Sequence, residues 1–185
     1  MINVNDFKNG LTIKFNGNLY QVIEFQHVKP GKGAAFVRSK LKNLRTASTI
    51  DHTFNAGVKV ETAHIDKNKM QFLYKSGDLY SFMDMNTYEQ MELSKEQLVD
   101  DIYYLTENLD IEIVSYEGEL LGINLPDKVA LKITSSMPAV KGNTSSGAMK
   151  DATLETGFEI KVPLFIDERE TILVSTKDGK YVSRA

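Results

Sequence analysis

The chain has 185 residues, with 22 Lys and Arg against 25 Asp and Glu, which gives a formal net charge of −3. Hydrophobic residues make up 42% and charged residues 25%, a composition that excludes collagen-like and wholly disordered chains. The chain has no cysteine, which excludes disulfides and thiolate metal sites. It also has no apolar run of the ~20 residues that span a bilayer and no secretory signal. We therefore expect a cytoplasmic protein that does not enter membranes.

Strict alternation of apolar and polar residues predicts a β-hairpin in the first block, residues 1–64. Its turn is Asn16-Gly17, a dipeptide typical of tight hairpins because both positions tolerate positive φ. The second strand is predicted over residues 19–28, with odd-numbered residues on one face and even-numbered residues on the other. Pro-Gly-Lys-Gly at 30–33 interrupts the alternation, which resumes over residues 34–41.

The second block, residues 65–126, is predicted to hold a hairpin, a further strand and the only convincing helix. Strands over residues 71–74 and 79–83 flank a Ser-Gly-Asp turn, and residues 85–93 read as a third strand. The sequence Ser-Lys-Glu-Gln at 94–97 is a capping box, which predicts a helix over residues 95–105. Another hairpin is predicted across Glu117-Gly118, and Pro126 marks the end of the block.

The third block, residues 127–185, reads as four short strands and a long loop. The loop, residues 135–156, is rich in Gly, Ser, Thr and Pro, and loops of that length in a small domain tend to be functional or disordered. The predicted strands cover residues 129–134, 158–162, 172–174 and 181–183. The fold class is therefore all-β, with three consecutive small β modules and one short helix in the middle module.

Charge is distributed unevenly among these modules. Residues 1–64 hold nine basic and four acidic side chains, residues 65–126 four and thirteen, and residues 127–185 nine and eight, so the net charges are +5, −9 and +1. Such asymmetry is typical of a polyanion-binding module joined to modules that do not bind polyanions. Residues 25–50 contain no acid. The cations in that segment are Lys29, Lys32, Arg38, Lys40, Lys42 and Arg45.

Two interpretations of these cations stay open. Arg38, Lys40 and Lys42 occupy alternate positions, so on a strand they share one face, beside Phe36. Such a face suits a phosphate backbone, which binds fixed cations with release of counterions. It is equally the pattern of a solvated strand face that binds nothing.

Lys32 stands at the tip of a predicted hairpin, between Gly31 and Gly33 and after Pro30. Glycine on both sides permits unusual backbone conformations and clears bulk from around the amine, while Pro30 stiffens the base of the loop. Such an amine can contact phosphate, act as a nucleophile or accept a covalent modification. Local pattern by itself favours an ordinary turn, because Pro-Gly pairs mark turns in general.

Patterns of catalytic or metal-binding residues are weak. The three histidines show no metal-ligand spacing, and no serine stands in a nucleophile-elbow motif. We therefore expect no cofactor, no metal and no enzymatic activity.

Three motifs in order resemble bacterial elongation factor P. Residues 28–38, VKPGKGAAFVR, resemble the family's modification loop, and YKSGD at 74–78 with FMD and TYEQ after it resembles the second-domain hairpin. KDATLETG at 150–157, VPLFI at 162–166 and DGKYVSR at 178–184 resemble the third-domain signature. The resemblance covers essentially the whole chain.

The resemblance implies an L-shaped molecule similar to tRNA, with an SH3-like, KOW-type barrel (1–64) and two OB-fold barrels (65–126 and 127–185). It implies a monomeric accessory factor that binds both ribosomal subunits, ribosomal RNA and peptidyl-site tRNA on ribosomes stalled at consecutive prolines. Lys32 would be the residue modified by a separate enzyme and the contact to the tRNA acceptor end, supported by Pro30, Gly31 and Gly33.

Further contacts are implied by position. The resemblance places Gly142, Asn143 and Thr144 in a loop near the small subunit and the codon, and it makes Tyr181 and Arg184 candidate RNA contacts. Asn143 stands where the family commonly has Asp, Ala148 where Gly is common and Asp151 where Pro is usual. The predicted contacts with RNA and the codon are therefore residues 142–144, Tyr181 and Arg184, together with five cations of the first module: Lys29, Arg38, Lys40, Lys42 and Arg45.

Two alternatives remain. A general single-stranded RNA-binding or RNA-chaperone protein would also use OB-fold barrels, although the acidic middle module argues against a continuous RNA groove. The related eukaryotic and archaeal translation factors have two domains, so a complete third block counts against them.

Overall fold

A computed structural model describes residues 1–138 and 147–185. The chain divides into two compact units, Met1–Asp66 with Val114–Leu121 and Lys67–Ile113 with Gly122–Ala185. The predicted all-β class is confirmed, because the strands form one six-stranded and two five-stranded sheets. The two boundaries between the three predicted modules, at 64/65 and 126/127, stay predictions.

The first sheet has the strand order β1-β6-β2-β3-β4-β5. The predicted hairpin turn is confirmed, since Asn16 and Gly17 have φ values of 50° and 76° and Phe15 pairs with Asn18. A 3₁₀ turn, Val4–Asp6, follows the first strand. The strands are β1 (Ile2–Asn3), β2 (Thr12–Phe15), β3 (Asn18–Val28), β4 (Phe36–Asn43), β5 (Thr49–Asn55) and β6 (Lys59–Thr62). Its core contains Val4, Phe7, Ile13, Tyr20, Val22, Val37, Leu41, Phe54 and Val60.

The second sheet has the order β11-β10-β7-β8-β9. The strand predicted over residues 85–93 is wrong in its first half. Asp84 Oδ1 accepts hydrogen bonds from the backbone N–H groups of Asn86 and Thr87, so a turn closes there and pairing resumes at Gln90. The strands are β7 (Asp66–Ser76), β8 (Leu79–Asp84), β9 (Gln90–Ser94), β10 (Asp110–Tyr116) and β11 (Glu119–Asn124).

The helix of the middle module is present but shorter than predicted. Ser94 forms the predicted capping box, because its Oγ accepts from Gln97 N and its N–H donates to Gln97 Oε1. The α-helix α1 covers only Lys95–Leu98, since Val99 takes a φ of 53°, which a continuing helix does not allow. The rest of the predicted span is the 3₁₀ segment Val99–Tyr104.

The third sheet has the order β14-β13-β12-β15-β16. One of its strands, β13, lies inside the segment predicted as a loop. Lys150, Ala152 and Leu154 point inward on it, but polar and small neighbours hide this alternation in the sequence. The strands are β12 (Lys128–Ser136), β13 (Met149–Leu154), β14 (Glu159–Pro163), β15 (Thr171–Ser175) and β16 (Tyr181–Arg184).

Each of the three sheets has a β-bulge in one of its long strands. In β3 the register shifts between Val22 and Glu24, which leaves Ile23 as the extra residue. Equivalent shifts bracket Leu73 in β7 and Thr134 in β12. The predicted two-face alternation of residues 19–28 is therefore wrong beyond Val22, because one inserted residue exchanges the two faces of a strand.

The 3₁₀ segment Val99–Tyr104 packs on the third sheet. Tyr103 stacks on Phe158 with ring centroids 5.1 Å apart, and Tyr104 meets the same ring edge-on at 5.5 Å. Thr156 Oγ1 donates to the carbonyl of Tyr103 over 2.7 Å. Gly179 lies against this group, and a Cβ there would come within 2.8 Å of Phe158 Cζ.

Candidate functional site

The Lys32 loop, residues 29–35, connects β3 and β4, whose last pair is Val28 with Phe36. Lys32 is exposed and Pro30 is half-buried. The backbone N–H of Ala56 donates to the carbonyl of Ala35 over 3.0 Å. The loop is therefore tied to the sheet on its β4 side, and its amine extends from a paired hairpin.

The two glycines beside Lys32 have different roles. Gly33 has a φ of +103°, a conformation that side chains rarely adopt, although a Cβ would meet nothing closer than Pro30 Cγ at 3.9 Å. Gly31 has an ordinary φ and open space around its Cα. The prediction that both glycines serve unusual backbone conformations thus holds for Gly33 only, and Gly31 contributes only the absence of bulk.

We expect Gly33→Ala to lower the free energy of unfolding by about 1 kcal/mol, because an alanine in the left-handed region is strained. Gly31→Ala is the matched control, and it should be neutral or slightly stabilising because alanine reduces the conformational entropy of the unfolded chain. Urea denaturation of both variants measures the difference. Equal effects of the two substitutions would contradict the distinct roles.

The cationic strand β4 shows the predicted arrangement. Val37, Ser39 and Leu41 are buried, whereas Arg38, Lys40 and Lys42 are all exposed. The three cations therefore share one solvent-facing side of the sheet, because side chains alternate across a strand.

Lys40 is flanked by acids on both neighbouring strands. Its register partners are Glu24 on β3 and Asp51 on β5, and both are exposed. The partners of Arg38 and Lys42 are uncharged Gln and Thr residues. Cross-strand neighbours interact directly, so the positive potential is weakest at Lys40. Sequence inspection missed this because the two acids stand just outside the acid-free segment 25–50.

Arg45 lies apart from the strand face, in the turn between β4 and β5. Its Nε donates to Glu119 Oε1 over 2.9 Å and its Nη2 to Glu119 Oε2 over 3.1 Å. Its Nη1 reaches the carbonyl of Gly17 at 3.4 Å. The hydrogen bonds from Arg45 lower the pKa of the Glu119 carboxyl and raise the pKa of the guanidinium. Nothing local in the sequence signals this pair, since 74 positions separate its members.

The C-terminal candidates are held by the third sheet. Tyr181 is half-buried against its core. Arg184 Nε donates to Glu170 Oε2 over 2.8 Å, and the guanidinium lies 5.1 Å from the centre of the Phe165 ring. Gly142, Asn143 and Thr144 lie outside the described residues.

Comparison with known proteins decides the family. A model of the elongation factor P KOW-like domain matches residues 3–60, one of its OB domain matches 65–123 and one of its C-terminal domain matches 129–184. Elongation factor P of Phytoplasma australiense is 61% identical over 185 residues, covering 100% of this chain and 98% of the relative. The chain belongs to the elongation factor P family. It is accordingly a translation elongation factor.

Solved structures extend the likeness. Eukaryotic translation initiation factor 5A from Methanococcus jannaschii is 28% identical, with a TM-score of 0.52 over 64% of this chain and 88% of that one. A translation initiation factor eif-5a family protein from Naegleria fowleri, 15% identical, matches with a TM-score of 0.51 over 67% of this chain and 96% of its own. The second likeness shows the fold alone.

Across residues 1–138 and 147–185, no helix combines the length and apolarity needed to cross a bilayer. In the same residues, no three His, Asp or Glu side chains are grouped as a metal site.

Proposed function

We propose that this elongation factor binds ribosomes stalled on consecutive prolines, beside the peptidyl-site tRNA, and promotes peptide-bond formation by positioning the tRNA acceptor end through the Lys32 loop. The observation that carries the proposal is the exposed amine of Lys32 on a paired hairpin. Among the described residues, Lys32 has no ion-pair partner, so the amine is available to phosphate or to a modifying enzyme.

The proposed action is positioning, with the chemistry left to the ribosome. Proline is a constrained substrate, and holding two reactants in a reactive geometry lowers a barrier by several kcal/mol. A lysine on a hairpin anchored by cross-strand pairs suits this role, because a fixed group loses less entropy when it engages its target. Its reach would increase with covalent extension of the amine.

The proposed partners follow from the charged surfaces. Arg38 and Lys42 present cations with no acid directly opposite on either neighbouring strand, and a phosphate backbone is the ligand such cations attract. We assign them to ribosomal RNA or tRNA, together with Lys29 and Lys40. Contacts of residues 142–144 with the small subunit and of Tyr181 and Arg184 with RNA belong to the same proposal. So do a monomeric state and a cytoplasmic location.

Ribosome profiling of the native host with and without this gene tests the function. We expect ribosome occupancy at runs of three prolines to rise when the protein is absent and to return on complementation. Unchanged pausing at proline runs would contradict the proposal. The intact mass of the protein purified from its native host, compared with the mass of the sequence, shows whether Lys32 carries an added group.

A general single-stranded RNA-binding role is the second candidate, and the exposed cations of β4 favour it. The acids beside Lys40 weaken it, because they interrupt the cationic face. This role predicts salt-dependent binding to free RNA that Lys32→Ala leaves intact. The leading proposal predicts that function depends on Lys32.

A further inference from the structure

The guanidinium of Arg45 binds the Glu119 carboxylate through the same two-pronged geometry with which arginine binds a phosphate. Two parallel N–H donors, Nε and Nη2, reach the two oxygens of Glu119 at 2.9 and 3.1 Å. This fork geometry fits carboxylate and phosphate oxygens equally well. Glu119 thus occupies the donors that an RNA phosphate would use.

The pair lies where a ligand can reach it. The side chains of Arg45 and Glu119 are 35% and 46% exposed, so water and ions have access to both. Exposed ion pairs contribute little to stability because solvent screens them. A phosphate can therefore replace the carboxylate at small cost.

The hairpin that carries Glu119 does not depend on Arg45 alone. Residues Val114–Leu121 belong to the same compact unit as Met1–Asp66. The Nζ of Lys14 lies 5.6 Å from the centre of the Tyr116 ring, on the same hairpin as Glu119. This contact is independent of the Arg45–Glu119 pair, so the hairpin keeps a link to residues 1–66 when the pair opens.

Arg45 also lies close in the chain to the cations of β4, in the turn that follows the strand. It follows the exposed Lys42 by three positions, and its backbone N–H is fixed by Asn43 Oδ1 at 2.8 Å. Arg45 is thus the next cation along the chain after Lys42, and we assign it to the same phosphate backbone.

We propose that Glu119 is a built-in competitor that keeps Arg45 occupied until an RNA phosphate displaces its carboxylate. The inference rests on the proposed ribosome-binding function. We call this displacement of Glu119 from Arg45 by a phosphate the gate. The gate makes Arg45 a conditional contact, which raises selectivity for RNA that engages the neighbouring cations at the same time.

Binding to purified ribosomes, measured with labelled protein over a range of salt concentrations, tests the gate. Glu119→Gln should tighten binding by up to about fivefold, the factor that corresponds to opening one exposed ion pair. Arg45→Gln should weaken binding and reduce the slope of log affinity against log salt by about one. Thermal unfolding confirms that each variant folds.

Glu117→Gln is the matched control, because Glu117 lies in the turn just before Glu119, is exposed and loses the same charge. If the gate exists, Glu119→Gln increases the affinity for ribosomes more than Glu117→Gln does. This additional gain in affinity disappears when Arg45 is also replaced by Gln. If Glu119→Gln matches Glu117→Gln, or if the gain persists without Arg45, the pair is only structural and the inference is wrong. If the wild-type protein does not bind ribosomes, the proposed function and the gate both fail.

Discussion

Lys32→Ala is expected to reduce rescue of a proline-run reporter to the level of a strain that lacks the protein. The reason is positional, since Lys32 supplies the one amine at the tip of the β3–β4 hairpin. The same substitution should change the free energy of unfolding by less than about 0.5 kcal/mol, because an exposed loop side chain buries little area. Reporter output and urea denaturation measure the two effects separately.

Two further variants test whether function requires a cation at position 32, any cation in the loop, or the primary amine of Lys32. Lys29→Ala removes an equal charge from the same loop, where Lys29 is also exposed. Because Lys29 is only one of several proposed RNA contacts, its loss should reduce the rescue far less than the loss of Lys32. Lys32→Arg keeps the charge but replaces the primary amine with a guanidinium, and should fail if a modified amine is required. Full rescue by Lys32→Ala, or equal loss in Lys29→Ala, would remove the special role of Lys32.

Gly179→Ala should be the most damaging small substitution in the third module, with a loss of about 3 kcal/mol in the free energy of unfolding from backbone strain and overpacking together. Gly179 is buried with a φ of +70°. An added Cβ would lie 2.8 Å from Phe158 Cζ and 3.0 Å from Tyr104 Oη. These rings already pack against each other, so neither can move without loss of contact.

Gly157→Ala is the matched control for Gly179→Ala. Gly157 has a φ of +85°, and a Cβ there would meet no atom within 4 Å. It therefore carries only the backbone strain, which costs about 1 to 2 kcal/mol. Chemical denaturation of the two variants isolates the steric part, and equal losses would mean that the aromatic group yields to the extra atom.

Local patterns predicted the elements whose causes are local. Asn16-Gly17 fixes its own turn through positive φ, and Ser94 caps its helix through Gln97 three residues away. The helix end and the strand β13 were mispredicted for reasons that sequence patterns do not contain. Val99 leaves the helical region, and β13 exists because β12 and β14 pair with it on both sides.

In the candidate site, too, the features that depend on sequence neighbours were predicted and those that depend on folding were not. The exposed tip at Lys32 and the shared face of Arg38, Lys40 and Lys42 depend on neighbours in the chain, and both were predicted. The electrostatic surroundings depend on chain folding. Glu24 and Asp51 border the acid-free segment in sequence, yet they lie on either side of Lys40 in the sheet. Glu119 reaches Arg45 from 74 positions away.

The bulge at Ile23 has a consequence for the direction of the hairpin. Because Val22 pairs with Leu41 and Glu24 with Lys40, removing Ile23 would leave every later pair of β3 with its present partner. The extra residue is therefore unnecessary for register. What a bulge adds is a bend and a stronger local twist. The residue that introduces this bend into the strand leading to the Lys32 loop thus lies nine positions before the lysine.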